Sequence, residues 1–241
     1  MYPSNNMVLI TGGSSGIGLA LAKQFVRAGN HVIITGRDQD KLASVQSVLP
    51  TIQAEQTDMT DVAALQQLTK KYPDINVLIN NAAVQYNYSF ADQQATLNMI
   101  DAEVETNLLG PLHLIKLLLP QFVTKESAAI VNVSSGLGFV PKQNAPVYCG
   151  TKAGLHIFTK ALRWQLDGTA VKVFEIIPPL VDTDMTRGRG KGKITPDAVA
   201  DAFWTAFQHD RVEIPVGRTR LLLALQRLFP RLADRIMRPG L

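Results

Sequence analysis

Short apolar runs alternate along the chain with stretches in which apolar residues recur every three or four positions. The short runs are typical of buried strands and cover residues 7–11, 31–35, 52–56, 77–79, 129–133, 171–177 and 212–216. The periodic stretches are typical of amphipathic helices and cover residues 16–28, 38–49, 61–72, 97–123, 147–166 and 196–208. This alternation predicts an α/β fold in which a parallel, seven-stranded sheet is covered by helices on both faces.

Nothing in the sequence divides the chain into smaller units. The 241 residues contain no internal repeat, no low-complexity tract and no linker, so we expect a single domain over residues 1–241. The last segment, residues 218–238, alternates apolar residues with arginines, which is typical of an amphipathic tail.

The composition limits the classes of protein to which the chain can belong and the kinds of partner that we expect. Apolar residues make up 46% of the chain and charged residues 18%, as in globular proteins. The single cysteine, Cys149, excludes an intramolecular disulfide, and we find neither a signal-peptide pattern nor an apolar run of membrane-spanning length. We therefore expect a cytoplasmic protein. The net charge of +4 comes without aromatic platforms or a groove-reading motif, so we expect no nucleic-acid partner.

A glycine-rich turn follows the first strand and opens the first helix. It reads Thr11-Gly12-Gly13-Ser14-Ser15-Gly16-Ile17-Gly18. Glycines in this place let the backbone approach a pyrophosphate, whose charge meets free N–H groups and the positive end of the helix. The turn therefore predicts a dinucleotide site on a Rossmann-type, doubly wound sheet. The contacts expected from the turn come from Gly12, Ser14, Ser15, Gly16, Ile17 and Gly18.

The end of the second strand bears on the choice of nicotinamide cofactor. An acidic residue there would hold the ribose 2′-hydroxyl of NAD(H) and repel a 2′-phosphate. Gly36 occupies that position instead, and Arg37 offers a guanidinium group suited to a phosphate. This favours NADP(H). NAD(H) stays open, because Asp38 could neutralise Arg37 in a surface pair.

Several motifs in a fixed order resemble those of the short-chain dehydrogenase/reductase family. They are Thr11-Gly12-x-x-x-Gly16-x-Gly18, Asn80-Asn81-Ala82-Ala83, Asn107, Ser134-Ser135, Tyr148-x-x-x-Lys152 and Pro178-Pro179-x-Val181-x-Thr183. The resemblance covers residues 7–216, and the whole chain is similar to a bacterial group named after an oxidoreductase of the D-alanylation operon. Two positions depart from the family pattern, since Ala83 and Pro179 stand where the family usually has glycine.

The resemblance implies an oxidoreductase that moves a hydride between a nicotinamide cofactor and a small-molecule carbonyl or alcohol. It assigns catalysis to Asn107, Ser135, Tyr148 and Lys152. It assigns further cofactor contacts to Asp58, Met59, Asn81, Ala82, Tyr148, Lys152, Pro178, Val181 and Thr183. The alternative is a non-catalytic regulatory protein that binds a dinucleotide on the same fold.

Tyr148 is expected to act as a general acid and base. It lies four residues before Lys152 on a predicted helix, so the two side chains share a face. A free phenol has a pKa near ~10, and we expect the ammonium group of Lys152, together with an oxidised nicotinamide, to lower it. Ser135 would orient the substrate oxygen, whereas Ser134 would serve the turn at the end of its strand.

Asn107 lies where a strong helical pattern meets Gly110 and Pro111. Pro111 has no N–H for the carbonyl four residues earlier, which belongs to Asn107. We expect a kink here, with the free carbonyl holding a water that connects Lys152 to solvent. A kink without function is the alternative.

The substrate side is expected to be apolar and covered by a mobile segment. Residues 185–195 are rich in glycine and lysine without periodicity, as in a lid. The pocket would suit a lipophilic ketone or alcohol better than a sugar or hydroxy acid. Besides Ser135 and Tyr148, its expected lining residues are Leu137, Phe139, Val140, Leu180 and Met185. The four histidines lack the spacing of metal ligands, so we expect no metal site.

Three arrangements are open for the tail. It could cover its own core, pack on a neighbouring subunit, or lie on an anionic membrane surface. Pro230 would interrupt a single continuous helix. We favour subunit packing in a homo-oligomer, either a dimer or a tetramer, with peripheral membrane contact as the alternative.

Overall fold

Within the residues that the structure describes, 1–91, 93 and 95–240, seven parallel strands form one sheet. In this computed structural model the strands are β1 (Met7–Thr11), β2 (His31–Gly36), β3 (Gln53–Gln56), β4 (Val77–Asn80), β5 (Ala128–Val133), β6 (Val171–Ile177) and β7 (Glu213–Pro215). Their order across the sheet is β3-β2-β1-β4-β5-β6-β7, and every neighbouring pair is parallel. The predicted Rossmann-type doubly wound sheet is confirmed.

Helices cover both faces of the sheet. They are α1 (Gly16–Arg27), α2 (Gln39–Val48), α3 (Val62–Lys71), α4 (Leu97–Val104), α5 (Gly110–Phe122), α6 (Pro146–Gln165), α7 (Pro196–Gln208), α8 (Thr219–Leu228) and α9 (Pro230–Met237). Apolar side chains of α1, α2 and α7 belong to one core cluster, and those of α3, α5 and α6 to another. Successive strand residues alternate between the two clusters: Val8 and Ile10 lie in the first, and Leu9 lies in the second. The strands are therefore buried on both faces, which explains their unbroken apolar runs.

The strand order reverses at β1. Strands β2 and β3 lie on one side of it, and β4 to β7 lie on the other. At such a reversal, the connections that leave the two central strands turn to opposite faces of the sheet and leave a crevice at the carboxyl ends. The ends of β1 and β4, at Thr11 and Asn80, are therefore where a ligand site is expected.

An aromatic cluster joins α1 and α7 to the sheet. The ring of Phe207 lies 5.6 Å from that of Phe25 on α1 and 5.4 Å from that of Phe174 on β6, measured between ring centroids. All three side chains are fully buried. This packing fixes the position of α1, the helix that begins at the glycine-rich turn and borders the crevice.

The expected kink at Gly110 and Pro111 is a π-helical turn in the structure. Residues Glu105–Leu109 form this turn between α4 and α5, and the N–H of Gly110 donates to the carbonyl of Glu105, five residues earlier. Pro111 lies in the first turn of α5. A wider turn accommodates the missing N–H of proline without ending the helix, so Asn107 lies in a π-bulge, a feature at which helices often kink.

The C-terminal tail folds back on its own chain. α8 and α9 meet at Pro230, the expected interruption, and Ala233 and Met237 are buried against Val140. One face of the tail therefore covers the core of its own chain, and the favoured packing on a neighbouring subunit stays a prediction for the outer face. The outer face exposes Leu228, Phe229 and Leu232, whereas the exposed side chains of Leu221 and Ile236 border the ligand crevice. Among the described residues, no helix combines the length and apolar character that crossing a bilayer requires.

Replacing Phe207 by alanine should destabilise the protein strongly, because the substitution opens a cavity among buried rings. We expect the free energy of unfolding in urea to fall by about 3–5 kcal/mol. Phe90→Ala is the matched control, since that ring is 63% exposed and its loss should cost under about 0.5 kcal/mol. Equal losses in the two variants would contradict the packing described here.

Candidate active site

A cavity of about 560 Å³ opens at the carboxyl ends of the central strands, where the strand order reverses. Its volume lies within the usual range of small-molecule sites. The glycine-rich turn and the end of β2 border one half of it. The start of α6, the segment after β6 and the C-terminal tail border the other half.

The glycine-rich turn is shaped by close backbone approaches. Gly12 has a φ of +64°, and a Cβ atom there would lie 2.9 Å from the Cα of Ala82. A Cβ atom on Gly18 would lie 2.3 Å from the carbonyl oxygen of Gly12. Gly18 does not line the cavity, so its expected cofactor contact is corrected. Its position one turn into α1 lets the helix pack directly on the glycine-rich turn.

The first turn of α1 has donors free for an anion. Ser15 is the N-cap residue in an extended conformation, and its side chain makes no capping hydrogen bond. The first N–H groups of a helix have no partner within the helix, and the helix dipole adds positive potential there. Ser14, Ser15, Gly16 and Ile17 all line the cavity as expected. This cradle fits a pyrophosphate.

Hydrogen bonds join the loop after β1 to the loop after β4. The hydroxyl of Thr11 accepts from the N–H groups of Asn81 and Ala82, both at 3.0 Å. The side-chain amide of Asn81 donates to the carbonyls of Thr11 and Gly12 at 2.9 and 3.1 Å. Asn81 and Ala82 both line the cavity, and Asn81 also holds the glycine-rich turn, a role that the motif alone does not indicate.

The end of β2 offers cationic groups at the outer end of the cavity. Gly36, Arg37 and Lys41 line it, and a Cβ atom on Gly36 would lie 3.2 Å from the hydroxyl of Ser14. The carboxylate of Asp38 accepts from the N–H groups of Asp40 and Lys41, so it caps α2. Among the described residues Asp38 forms no ion pair with Arg37, and the guanidinium group faces the cavity without that competitor.

Asp58 and Met59 follow β3 and line the same half of the cavity. The carboxylate of Asp58 accepts from the N–H and the hydroxyl of Thr60 at 2.9 and 3.0 Å. Met59 packs on Gly110, where a Cβ atom would lie 2.9 Å from the Met59 carbonyl oxygen. Both residues lie where the family resemblance expects them.

Tyr148 and Lys152 lie on one face of α6, as expected, and both are buried. The ammonium nitrogen of Lys152 is 5.8 Å from the centroid of the Tyr148 ring and donates to the carbonyl of Val133 at 2.8 Å. Both side chains line the cavity. The end of β5 therefore positions the amine beside the phenol.

Burial dominates the protonation of this pair. It raises the pKa of Tyr148 to about 12, and the hydroxyl of Ser135 offsets part of that rise. It also lowers the pKa of Lys152 to about 8, against the opposing charge of Glu175. Desolvation therefore outweighs the neighbouring charges at the phenol, and the lowering of its pKa expected from Lys152 together with an oxidised nicotinamide stays a prediction.

Glu175 on β6 lies behind Lys152 in the core. Its carboxylate is 1% exposed and contacts Nδ1 of His156 at 2.9 Å, and His156 lies one turn after Lys152 on α6. This buried acid is the charge that favours the ammonium form of Lys152. None of the sequence motifs indicates Glu175, because the lysine that it influences lies on a different element, α6.

Ser134 and Ser135 follow β5 and have different partners. The hydroxyl of Ser134 donates to the backbone carbonyl of Ile176 at 3.4 Å, and Ser134 is 2% exposed. The hydroxyl of Ser135 accepts from the N–H of Leu137 at 3.1 Å and lies beside Tyr148. Ser135 is therefore the serine near the phenol, in line with the expectation that Ser135, and not Ser134, orients the substrate oxygen.

Asn107 is fully buried and does not line the cavity. Its side-chain amide donates to the carbonyl of Val84 at 2.8 Å and to the hydroxyl of Thr151 at 3.3 Å, and it accepts from the N–H of Val84 at 2.8 Å. The side chain therefore joins the loop after β4 to α6, beside Lys152. The proposed relay through its carbonyl stays a prediction.

The segment after β6 forms a further wall. Pro178, Val181 and Thr183 line the cavity as expected. Thr183 stands close to the turn, since a Cβ atom on Gly16 would lie 2.9 Å from its methyl group. The N–H of Thr183 donates to the hydroxyl of Thr186, which fixes this stretch as a short 3₁₀ helix.

The expected substrate pocket is correct for Leu137, Leu180 and Met185, which line the cavity. Phe139 and Val140 do not line it, and their assignment is corrected. The ring of Phe139 packs on His156 at 4.2 Å between centroids, and Val140 is fully buried beneath the tail. The 3₁₀ turn Gly136–Gly138 directs Leu137 into the cavity and is followed by Phe139 and Val140, which are directed away from it.

The glycine- and lysine-rich segment contributes Met185, Thr186 and Arg189 to the lining of the cavity. Arg189 donates to the carbonyl of Gln85 at 3.3 Å, and Lys193 donates to the carboxylate of Asp182 at 3.1 Å. The segment is thus attached at two points to its surroundings. Its mobility stays a prediction.

The motifs and patterns of the sequence do not identify some of the residues that line the cavity. Their common feature is that tertiary packing alone brings them to the site; they are Lys41, Lys142, Arg189, Thr219, Leu222, Leu225, Ile236 and Met237. The apolar periodicity of the tail was the one available signal, but it does not say what the tail covers. Within residues 1–91, 93 and 95–240, no group of histidine, cysteine and acidic side chains could hold a metal ion.

Residues 6–193 match a family model described as short chain dehydrogenase. The chain belongs to the short-chain dehydrogenase family. Membership makes it an NAD(P)-binding oxidoreductase of the Rossmann type, and the predicted family is confirmed.

Two curated relatives of this short-chain dehydrogenase come from bacteria. It is 44% identical over 200 residues to the uncharacterized oxidoreductase DltE of Bacillus subtilis, covering 81% of this chain and 79% of DltE. It is 31% identical over 217 residues to the NADP-dependent 3-hydroxy acid dehydrogenase YdfG of Salmonella typhi, covering 82% of this chain and 87% of YdfG. The similarity to DltE agrees with the bacterial group expected from the sequence.

Solved structures share its fold. A short-chain dehydrogenase from Sphingobium yanoikuyae in complex with NADPH is 27% identical, with a TM-score of 0.83 over 94% of both chains. A short chain dehydrogenase from Burkholderia cenocepacia in complex with NADP is 24% identical, with a TM-score of 0.89 over 99% of this chain and 100% of that one. The second likeness concerns the fold alone.

The buried lysine of this short-chain dehydrogenase should make its stability depend on pH. Because burial lowers the pKa of Lys152 from 10.5 to about 8, the folded state loses this proton first as the pH rises. Between these values the unfolded chain binds more protons, so the free energy of unfolding should rise with pH, by about 2 kcal/mol from pH 8 to 10 for this one group.

The measurement is urea unfolding of the free protein and of Lys152→Met at pH 7.5, 8.5, 9.5 and 10. The difference in stability between the two should shift in favour of the unmodified chain as the pH rises. Lys160→Met, at an exposed position of the same helix, is the control and should follow the unmodified chain. Parallel pH curves for Lys152→Met and the unmodified chain would refute the assignment.

Proposed function

We propose that the protein interconverts a ketone or aldehyde and the corresponding alcohol, using NADP(H), with Tyr148 as the acid and base. The observation that carries the proposal is one wall of the cavity, where Ser135, Tyr148 and Lys152 stand together next to the cradle formed by the glycine-rich turn. This wall lies at the reversal point of the sheet, where dinucleotides bind on such folds.

Reduction would use the phenol in its protonated form. The substrate carbonyl oxygen would accept hydrogen bonds from Ser135 and Tyr148, which stabilise the negative charge developing there. When bound in the cavity, a dihydronicotinamide would supply the hydride, with its electron pair, that the carbonyl carbon takes up. Tyr148 gives its proton to the oxygen, which completes the hydroxyl. A pKa of about 12 keeps Tyr148 protonated and ready to donate at neutral pH.

Lys152 would support this transfer in two ways. Its ammonium group would stabilise the phenolate left after donation and would bind the ribose hydroxyls of the cofactor, as the family resemblance implies. The carbonyl of Val133 holds the amine in place, and Glu175 favours its charged form. Asn107 would act one step further away, as the proposed relay of protons from solvent.

NADP(H) is the proposed cofactor, and NAD(H) remains the alternative. Arg37 gives the outer end of the cavity a positive charge, and Lys41 lies there in an ion pair with Asp184. Gly36 has no side chain that would occupy the space beside Ser14. The names of relatives agree with this choice, since YdfG is described as NADP-dependent and the Sphingobium protein was solved with NADPH. Asp58 and Met59 would border the adenine, and Thr183 the carboxamide.

The substrate is proposed to have an apolar part. Leu137, Leu180 and Met185 line the inner half of the cavity together with apolar side chains of the tail. Burial of such a part contributes about 25 cal/mol per Å² of apolar surface. A non-catalytic dinucleotide-binding protein is the alternative function, and the close approach of Ser135, Tyr148 and Lys152 argues against it.

The expected homo-oligomer, the peripheral membrane contact and the cytoplasmic location stay predictions. The exposed apolar side chains on the outer face of the tail are compatible with a covering partner.

Replacing Tyr148 by phenylalanine should remove the proton donor and leave the fold intact. We expect kcat/KM for ketone reduction to fall by about a hundredfold or more, while NADPH still binds with a similar Kd, measured by fluorescence. Tyr2→Phe is the matched control, because Tyr2 is 69% exposed, and it should keep full activity. Undiminished turnover by Tyr148→Phe would overturn the mechanism. If the unmodified chain binds NADPH but reduces none of a panel of aryl and aliphatic ketones, the regulatory alternative gains support.

Replacing Gly36 by aspartate should change the cofactor preference. A carboxylate at the end of β2 would repel the 2′-phosphate of NADPH and accept from the ribose hydroxyl of NADH. The ratio of kcat/KM for NADPH to that for NADH should fall by at least about tenfold. Gly36→Ala adds the same Cβ without charge and is the control. A ratio that falls equally in both variants would point to the space near Ser14 instead of the charge.

A further inference from the structure

Two cationic side chains lie in the substrate half of the cavity without a carboxylate partner. Lys142, before α6, and Arg189, in the segment after β6, both line it. Lys142 donates to the side-chain oxygen of Asn87 at 2.9 Å, and Arg189 donates to the carbonyl of Gln85 at 3.3 Å. Neither cation forms an ion pair with any residue that the structure describes, so both face neutral acceptors only.

One nitrogen of Arg189 is buried without any hydrogen-bond partner in the described part of the chain. This is Nη1, while Nη2 is the atom bonded to Gln85. A guanidinium group cannot give up its charge or its donors, and a buried donor without an acceptor is costly. An anionic ligand in the cavity would accept a hydrogen bond from this charged donor and so remove the cost of leaving it unsatisfied.

The nearby carboxylate of Glu103 does not provide this acceptor. One of its oxygens accepts from the N–H of Tyr86, and the other accepts from the hydroxyl of Tyr88, both at 3.0 Å. Glu103 is fully buried, and burial raises its pKa. Burial and the charge of Arg189 also lower the pKa of Lys142, as expected for two like charges that face each other across a cavity.

These cations belong to the same space as the reacting groups. The charge of Arg189 acts on Tyr148, where it opposes the rise in the pKa of the phenol. On the other side of this space are the apolar side chains of Leu222, Leu225 and Met237 from the tail. The inner half of the cavity therefore combines a proton donor, a cationic wall and an apolar wall.

From this arrangement we propose that the substrate is an oxo acid or its hydroxy acid. Its carboxylate accepts hydrogen bonds from Arg189 Nη1 and the Lys142 ammonium group, and its alkyl part lies under α8 and α9. The inference rests on the proposed function and deepens it by naming the substrate class. It revises the expectation of a purely lipophilic ketone, because the tail supplies the apolar wall and Lys142 and Arg189 add a site for charge.

The test compares acids with neutral molecules of nearly the same shape. The 2-, 3-, 4- and 5-oxohexanoates and their methyl esters are reduced with NADPH, and kcat/KM is measured for each pair. At least one acid should exceed its ester by about tenfold or more, since charge-assisted hydrogen bonds are the strong ones. The absence of such a preference in all four pairs would overturn the proposal.

Variants locate the effect in the two cations. Arg189→Gln and Lys142→Gln should each lower kcat/KM for the preferred acid by about tenfold to a hundredfold and change that for the ester by less than about threefold. Arg187→Gln is the matched control, because Arg187 is exposed, pairs with Asp184 and does not line the cavity; it should change neither value. Equal losses for acid and ester would mean that the cations only maintain the structure. A loss of NADPH affinity would mean that they bind the cofactor.

A binding experiment separates this inference from the proposed function. Calorimetry should detect hexanoate binding to the unmodified chain saturated with NADP⁺, binding of hexan-1-ol that is weaker by about tenfold or more, and loss of hexanoate binding in Arg189→Gln. This result would support the anion site even if no carbonyl compound were reduced, in which case the proposed function alone would fail. Hexanoate binding that is absent, or unchanged in Arg189→Gln, would overturn the anion site. Inorganic phosphate that competes better than hexanoate would also overturn it, since the site would then recognise a phosphate group.

Discussion

The hydrogen bonds between the loops after β1 and β4 are the constraint on which the rest of the site depends. At this point the strand order reverses. The hydrogen bonds of strand pairing stop where the strands end, so other bonds must join the two loops. The hydroxyl of Thr11 and the amide of Asn81 join the two loops through backbone groups on both sides. The glycine-rich turn is thereby held against the end of β4, and the start of α1 faces the crevice.

Burial and charge determine the protonation states in the cavity and the kind of ligand that it favours. Burial disfavours both charged forms of the central pair, so Tyr148 is a neutral phenol and Lys152 is kept charged only with the help of Glu175. Positive groups lie at both ends, with Arg37 at the outer end and Arg189 at the inner one. A cavity of this kind concentrates anions, which is consistent with a phosphate-bearing cofactor and an acidic substrate that lie end to end.

Predictions from the sequence were strong wherever a function depends on neighbours along the chain. The spacing of Tyr148 and Lys152 on one helix, and the glycines before α1, are local properties, and both features are present as predicted. Predictions failed where a short irregular segment decided the direction of a side chain. Phe139 and Val140 follow a 3₁₀ turn that directs them away from the cavity.

The order of strands and helices, the dinucleotide crevice and the identity of the family follow from apolar periodicity and short motifs, because each of these is written in residues close together in the chain. The contents of the inner half of the cavity do not. Lys142, Arg189 and the tail are far apart in sequence, and they line one cavity only because the tertiary fold brings them there, with α8 and α9 folded back over the 3₁₀ turn after β5. Long-range packing of that kind leaves no periodic signal, so the charge and shape of the substrate site emerge only in three dimensions.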